Sequence, residues 1–384
     1  MIGGCLRTGD TSLRRRAAIL FIVAIALTGV TLASPVSTGA STASLTATLT
    51  PAQLAGQRVI YRYRGLTPPA KLLWLISHGR AAGVIFFGDN ITGHTQIRAV
   101  IAKLEQANAA ATNPVRAPLL LMTDQEGGQV RRLSGAPLLS EKQIGASDDP
   151  GARARSAGAG AAHNLAGVGM NVNLAPVLDV YRTSGDFIDQ YGRSYSKDPA
   201  VCAALGGDFI TAQQQAGVAA TAKHFPGLGA AAQARNTDLR PVTLSVSRST
   251  LRSVDELPYT TAIAAGVRLV MVSWAVYPAL DAGRPAGLSR TVIHGELRAR
   301  LGFRGVTISD ALEAGALQPF GTIAHRSVLA SRAGMDLLLC SQSVAEGESA
   351  RTALRAGYLD GTLDKAAFTA SVQRVIALRE ALGG

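Results

Sequence analysis

The segment GVTISDALEAGAL, residues 305–317, joins a predicted buried strand directly to a carboxylate. Gly305 to Ser309 is a short apolar run with three β-branched residues, a composition typical of a strand that is covered on both faces. Asp310 follows this run at once. A carboxylate at the carboxyl end of a parallel strand is where α/β barrels carry their chemistry, but an aspartate here would also suit a helix N-cap.

Seven more apolar runs occur along the chain, and helical periodicity separates most of them. The predicted strands cover residues 56–61, 83–87, 118–123, 169–174, 219–223, 268–273, 305–309 and 335–340. Strands that alternate with helices predict an α/β fold, a single-domain (β/α)₈ TIM barrel, over residues 51–384. An open doubly wound sheet is the competing fold, but no glycine-rich dinucleotide fingerprint follows the first strand.

Polar and ionisable residues follow several of these strands. Asp124, the pair Lys223 and His224, and Asp310 each come directly after an apolar run or at its end. Because the carboxyl ends of barrel strands converge on one mouth, we expect these side chains to form one site.

Composition excludes some classes of function. The chain has 384 residues and a formal net charge of +12. The excess arginine is scattered and lacks interleaved aromatic residues, so we expect no nucleic-acid partner, whereas a basic surface would suit an anionic envelope or polymer. The three cysteines show no metal-ligand spacing, and we predict neither a metal nor a cofactor.

The N-terminal residues resemble an export signal. Residues 14–16 are arginines and precede an apolar run over 17–33, which predicts a signal peptide or an N-terminal membrane anchor over residues 1–33. Residues 34–50 are rich in Ser, Thr and Ala and predict a flexible linker. We therefore expect an exported protein that contacts a membrane only through an uncleaved N-terminal segment; its oligomeric state stays open.

Three motifs carry a family resemblance: LMTDQEGGQVRRL (121–133), AKHFPGLG (222–229) and ISDAL (308–312). In this order they resemble glycoside hydrolase family 3, in particular its single-domain β-N-acetylhexosaminidases, and the resemblance covers about residues 51–380. It implies a retaining hydrolase that removes terminal β-linked N-acetylglucosamine from cell-wall or related saccharides. Asp310 would be the nucleophile that forms a covalent glycosyl-aspartate.

The resemblance also implies the residues that hold the sugar. Asp124 would accept hydrogen bonds from sugar hydroxyls, and Arg132, Arg193, Lys223 and His224 would bind the same ring, since hydroxyls need fixed acceptors and cationic donors. Structural alternatives stay open: the arginines as surface residues, Lys223 as an ion-pair partner of a nearby glutamate, and His224 as a core histidine.

The acid/base is where the chain departs from the family. The family's loop after KHFPG carries a histidine, but here it reads AAAQARNTD (230–238), with Asn236 at the histidine's place. Asparagine cannot transfer a proton. Asp238 is the nearest ionisable acid and would take the role if desolvation raised its pKa; the alternative is a simple turn. Trp274 stands where the family often has a histidine, and it would either stack on a sugar or pack in the core.

Other functions remain open at this point. The missing histidine favours a catalytically weak or inactive carbohydrate-binding protein on the same barrel. A β-glucosidase-type hydrolase is a second alternative, and a Schiff-base lyase that uses Lys223 is a third. The motifs do not distinguish water from phosphate as the acceptor.

Overall fold

Each predicted apolar run coincides with a parallel strand or overlaps one in the computed structural model, which describes residues 38–383. We number the barrel strands β1 to β8: Val59–Tyr61, Gly83–Ile85, Leu120–Thr123, Val172–Asn173, Ala219–Phe225, Leu269–Val272, Val306–Ala311 and Leu337–Leu339. Each strand pairs with its neighbours in chain order, and β8 pairs with β1. The predicted (β/α)₈ barrel is confirmed.

Helices surround the barrel. The α-helices α1 to α12 are Thr38–Thr48, Pro51–Gly56, Ala70–Ser77, His94–Asn108, Glu141–Gly145, Pro150–Ala166, Pro199–Gln215, Arg248–Thr250, Leu257–Ala264, Ile323–Ala333, Val344–Asp360 and Lys365–Ala381. Shorter 3₁₀ segments are Gly88–Asn90, Asp189–Tyr191, Ala286–Leu288 and Gly315–Phe320, and π-helical segments are Leu251–Asp255 and Thr291–Arg300. Two small antiparallel hairpins pair Gln125–Gly127 with Val130–Arg131 and Val276–Tyr277 with Asp281–Pro285.

Both faces of the barrel strands are buried, which explains why the sequence shows continuous apolar runs. In β3, Leu120 and Met122 belong to a cluster with members from all eight strands, which fills the barrel interior. Leu121 belongs to the cluster between the strands and the helices. A strand covered on both sides favours apolar residues at most positions rather than at alternate ones.

The predicted flexible linker is wrong for most of its length. Within residues 34–50, Thr38–Thr48 form α1, and residues 34–37 lie outside the described residues. The Thr42 hydroxyl donates to Glu380 of α12 over 2.8 Å, and Leu49 is buried. The prediction failed because a Ser/Thr/Ala composition does not reveal the neighbouring helix that covers this segment.

The predicted signal peptide or anchor, residues 1–33, also lies outside the described residues. Among residues 38–383, no helix combines the length and the apolar character that a membrane span requires.

Candidate active site

A cavity of about 420 Å³ opens at the carboxyl ends of the barrel strands. All seven predicted site residues line it: Asp124, Arg132, Arg193, Lys223, His224, Asp238 and Asp310. Its other walls include Ile85, Phe87, Leu174, Phe187, Tyr191, Asn236, Met271, Leu339 and Ser341. The cavity therefore combines a charged half with apolar and aromatic walls.

Lys223, on β5, is held between two carboxylates that follow β3. Its Nζ lies 2.8 Å from Asp124 Oδ1 and 2.7 Å from Glu126 Oε1. Burial alone would lower the pKa of Lys223, but the charges of Asp124 and Glu126 raise it above its ordinary value. The ion pair of Lys223 with a glutamate, one of the alternatives that the sequence left open, is therefore present, and Lys223 also lines the cavity.

This arrangement opposes the lyase alternative. A Schiff base requires a neutral amine, and the two carboxylates keep Lys223 an ammonium ion. Lys223 is thus a fixed cation beside Asp124.

The two predicted arginines are not free surface residues. Arg193 donates from Nε and Nη2 to the two oxygens of Glu126 at 2.8 and 2.9 Å. Burial alone would raise the pKa of Glu126, but Arg193 and Lys223 lower it to about 2. Arg132 Nη2 lies 3.8 Å from Asp124 Oδ2 and keeps part of its surface toward the cavity. Bidentate pairing fixes Arg193 as a rigid donor.

His224 is oriented by Asp179, a residue that the sequence analysis did not select. Asp179 is fully buried and follows β4; its Oδ2 lies 2.7 Å from His224 Nδ1. Its Oδ1 accepts from the backbone N–H groups of His224 and Leu228 at 3.2 and 2.7 Å. Because a carboxylate oxygen only accepts, Nδ1 carries the proton and Nε2 remains for the cavity.

Glu126 lies within the motif LMTDQEGGQVRRL, and Asp179 lies in the loop after β4, so a signal for both was present. Each is an acidic residue just beyond a strand, as Asp124 is. The sequence did not show that they act on the site through other side chains.

Asp310 lies within β7 and lines the cavity. The next helical segment begins at Gly315, with Ala314 at its N-cap position, so the N-cap interpretation of Asp310 is wrong. The Ala311 N–H donates to Asp310 Oδ1 over 2.7 Å. The carboxylate is therefore fixed where the strand ends.

Trp274 packs rather than lining the cavity. It is 1% exposed, and its Nε1–H donates to the Ala311 carbonyl over 2.8 Å. Trp274 therefore packs in the core and does not stack on a sugar. Trp274 thereby holds the carbonyl group of the residue next to Asp310.

The loop that carries Asp238, residues 230–238, is compatible with both interpretations that the sequence left open, a simple turn and an acid/base. Asn236 Oδ1 accepts from the Asp238 N–H over 2.8 Å, which is a local turn. The same turn brings Asn236, Thr237 and Asp238 to the cavity. A turn and an acid/base are therefore compatible.

The environment of Asp238 favours a proton. Desolvation and the charge of Asp310 raise the pKa of Asp238 to about 6, against the opposing effects of His224 and Arg193. The residue as a whole is exposed at the rim, so the charge of Asp310 acts on a carboxyl group that still reaches solvent. A raised pKa beside a second carboxylate is the pattern of an acid and a nucleophile.

Aromatic residues complete the mouth of the cavity. Phe187 and Tyr191 pack edge to face with ring centroids 6.4 Å apart, and Tyr191 is 43% exposed. Their segment, GDFIDQYG (185–192), contains none of the predicted site residues. Aromatic faces pack well against the apolar face of a sugar ring.

Comparisons with known proteins show which family the chain resembles over most of its length. The family model described as "Glycosyl hydrolase family 3 N terminal domain" matches residues 53–378. An "uncharacterized secreted glycosyl hydrolase" of Arthroderma benhamiae is 46% identical over 329 residues, 85% of this chain and 93% of that protein. A β-hexosaminidase of Xanthomonas axonopodis pv. citri is 34% identical over 303 residues, 74% of this chain and 86% of that protein.

Solved structures show the same barrel. A family 3 β-N-acetylglucosaminidase from Paenibacillus sp. superimposes with a TM-score of 0.82 and 34% identity. The match covers 88% of this chain and 64% of that longer chain. A β-N-acetylhexosaminidase from Beutenbergia cavernae has a TM-score of 0.77 and 29% identity, over 86% of this chain and 98% of that one.

Proposed function

Because the chain belongs to glycoside hydrolase family 3, we propose that it is a retaining β-N-acetylhexosaminidase that removes terminal β-linked N-acetylglucosamine from saccharides such as cell-wall fragments. The observation that carries the proposal is the pair of carboxylates in one cavity. Asp310 is available as a nucleophile, and Asp238 has a pKa raised to about 6 and can hold a proton. The β-hexosaminidase and β-N-acetylglucosaminidase relatives support the choice of sugar.

The charged half of the cavity would bind the terminal sugar. Asp124 would accept from ring hydroxyls, Arg132 and Lys223 would donate to them, and His224 would accept from one through Nε2. Asp124, Lys223 and Arg193 are already held in place by ion pairs, so little side-chain freedom is lost on binding.

The first chemical step forms the glycosyl-enzyme. Asp310 attacks the anomeric carbon, the bond to the leaving oxygen breaks, and protonated Asp238 gives its proton to that oxygen. Charge in the oxocarbenium-like transition state is stabilised by the nearby Asp310 carboxylate.

The second step releases the sugar. Asp238, now a carboxylate, takes a proton from a water molecule, whose oxygen attacks the anomeric carbon as the bond to Asp310 breaks. Both residues then return to their initial protonation states. Product analysis in phosphate-containing buffer would show whether the sugar leaves as N-acetylglucosamine or as its 1-phosphate.

The test compares wild type with Asp310→Ala and Asp310→Asn on aryl N-acetyl-β-glucosaminides and aryl β-glucosides. We expect wild type to prefer the N-acetyl substrate and both variants to lose about 10⁴-fold or more in kcat. Asp360→Asn is the matched control, because Asp360 is exposed at the end of α11 and its Oδ1 accepts from the Thr362 N–H over 2.9 Å.

Two results would contradict the proposal. Near-normal turnover by either Asp310 variant would remove Asp310 as nucleophile. Binding of N-acetylglucosamine by wild type without turnover of any substrate would favour the carbohydrate-binding alternative instead.

We also propose that the enzyme is exported. The basic and apolar N-terminal residues and the relative called secreted support this. Fractionation of producing cells tests it, and retention in the cytoplasm would contradict it.

A further inference from the structure

We propose that Gly315 is a positioning residue for the acid/base: its missing side chain lets the loop of Asp238 lie directly on the segment that follows Asp310. This inference rests on the proposed function. It concerns how the backbone positions Asp238, which the family match and the names of the relatives do not address.

Backbone hydrogen bonds join the two segments. The Gly315 N–H donates to the Asp238 carbonyl over 2.8 Å, and the Ala316 N–H donates to the Thr237 carbonyl over 2.9 Å. Thr237 is buried at 3% exposure. The loop is thus attached at the acid residue itself and at its neighbour.

The contact requires a glycine for steric reasons. A Cβ on Gly315 would lie 2.3 Å from both the carbonyl carbon and the carbonyl oxygen of Leu239, and 2.9 Å from Arg240 N. Gly315 is not among the glycines with positive φ, so the backbone conformation would accept alanine. Because the clashing atoms belong to the main chain, they cannot rotate away, and the loop would have to move.

The segment that receives the loop is itself fixed beside Asp310. The Leu312 N–H donates to the Leu339 carbonyl of β8 over 3.0 Å, and Glu313 Oε2 accepts from the Ser341 N–H over 3.0 Å. Trp274 holds the Ala311 carbonyl, as described above. Movement caused by a side chain at position 315 would therefore fall mainly on the Asp238 loop.

The start of the same loop is attached elsewhere. The Phe187 N–H donates to the Ala231 carbonyl over 3.0 Å, and residues 232–235 between the two attachments are exposed. The attachment at Gly315 is therefore the one that sets the position of Asp238 relative to Asp310. A displacement of about 1 Å at a reacting group can cost about 100-fold in rate.

The experiment compares Gly315→Ala and Asp238→Ala with wild type on two substrates. A dinitrophenyl N-acetyl-β-glucosaminide has a leaving group that needs no proton, whereas a disaccharide of N-acetylglucosamine has one that does. We expect Gly315→Ala to lower kcat/KM about 100-fold for the disaccharide and less than about fivefold for the aryl substrate. Gly88→Ala is the matched control, since a Cβ there meets no atom within 4 Å.

Azide provides a readout that a general loss of folding would not produce. Hydrolysis of the glycosyl-enzyme also needs Asp238, so kcat for the aryl substrate should fall in Gly315→Ala. Azide needs no base: its nitrogen bonds to the anomeric carbon as the bond to Asp310 breaks, which yields the glycosyl azide. We expect azide to restore kcat in Gly315→Ala and Asp238→Ala and to leave wild type and Gly88→Ala nearly unchanged.

The outcomes separate the inference from the proposed function. If wild type cleaves both substrates and Gly315→Ala keeps its disaccharide kcat/KM, the inference is overturned. An equal loss on both substrates without azide rescue overturns it as well, because the glycine would then act on the barrel or the nucleophile.

A second measurement needs no variant. Hydrogen exchange of the wild-type Gly315 and Ala316 amides should be as slow as that of β7 amides if the loop stays docked. Rapid exchange would overturn the inference. This test remains valid if Gly315→Ala does not fold, because it uses wild type. Failure of wild type on both substrates would count against the proposed function, and the exchange result would still decide the position of the loop.

Discussion

For a disaccharide of N-acetylglucosamine, we expect kcat/KM to fall above about pH 6, because Asp238 must be protonated to give its proton to the leaving sugar. With a pKa of about 6, the side chain is about nine-tenths protonated at pH 5 and about one-tenth at pH 7. The decline should approach tenfold per pH unit on the alkaline side. The sign follows from the role: the charged form cannot donate.

The assay measures kcat/KM from about pH 4 to about pH 9 for the disaccharide and for a dinitrophenyl glycoside. The aryl substrate should lack the alkaline decline, since its leaving group departs without a proton. Asp238→Asn should lower the disaccharide rate and remove the decline, because an amide does not titrate in this range. Asp360→Asn serves as the control and should keep the wild-type profile.

The physical cause can be tested separately. Asp310 raises the pKa of Asp238, so Asp310→Asn should lower that pKa, as read from the carboxyl carbon in an NMR titration. An alkaline decline that is equal for both substrates, or that persists in Asp238→Asn, would refute the assignment of Asp238.

Two further predictions concern residues around the site and below it. Trp274→Phe keeps an aromatic ring against Gly287 but loses the hydrogen bond to the Ala311 carbonyl. Steady-state kinetics should show kcat reduced up to about tenfold with KM nearly unchanged. An unchanged kcat would refute this prediction. Asp336→Asn removes a buried carboxylate that pairs with Arg298 and Arg374, which should destabilise the fold by about 3–5 kcal/mol at pH 7 without changing kcat. Burial alone would raise the pKa of Asp336, but the two arginines lower it below its ordinary value. The stabilisation that Asp336 contributes is therefore complete above the pKa of the unfolded state and is lost as the pH falls through the pKa of the folded state. Thermal unfolding should therefore show the difference from wild type shrinking in acid, and a constant difference would contradict this.

The fold was predictable because its signal is local. Each barrel strand is a short apolar run, and burial on both faces makes that run visible without knowledge of its neighbours. The segment Thr38–Thr48 shows the opposite case, since a helix of small polar residues has no such signal and depends on α12 for cover. Composition alone therefore predicted a linker there.

The candidate site was predictable as a set of residues but not as an arrangement. Strand ends and motifs selected Asp124, Lys223, His224 and Asp310, and all four line one cavity. The sequence offered Asp238 only as the nearest carboxylate to a missing histidine. Its raised pKa depends on desolvation at the cavity and on the charge of Asp310, which belongs to a different segment of the chain.

The number and order of the strands, the family's motifs and the kinds of side chain at the mouth of the barrel can all be read along the chain. Which of these side chains meet depends on how the barrel closes. Lys223 pairs with Asp124 across 99 positions of the chain, and Gly315 receives the Leu239 backbone from a different loop. Closure of the barrel brings these distant segments to one end, and the resulting contacts set charge, protonation and loop position, none of which a local pattern records.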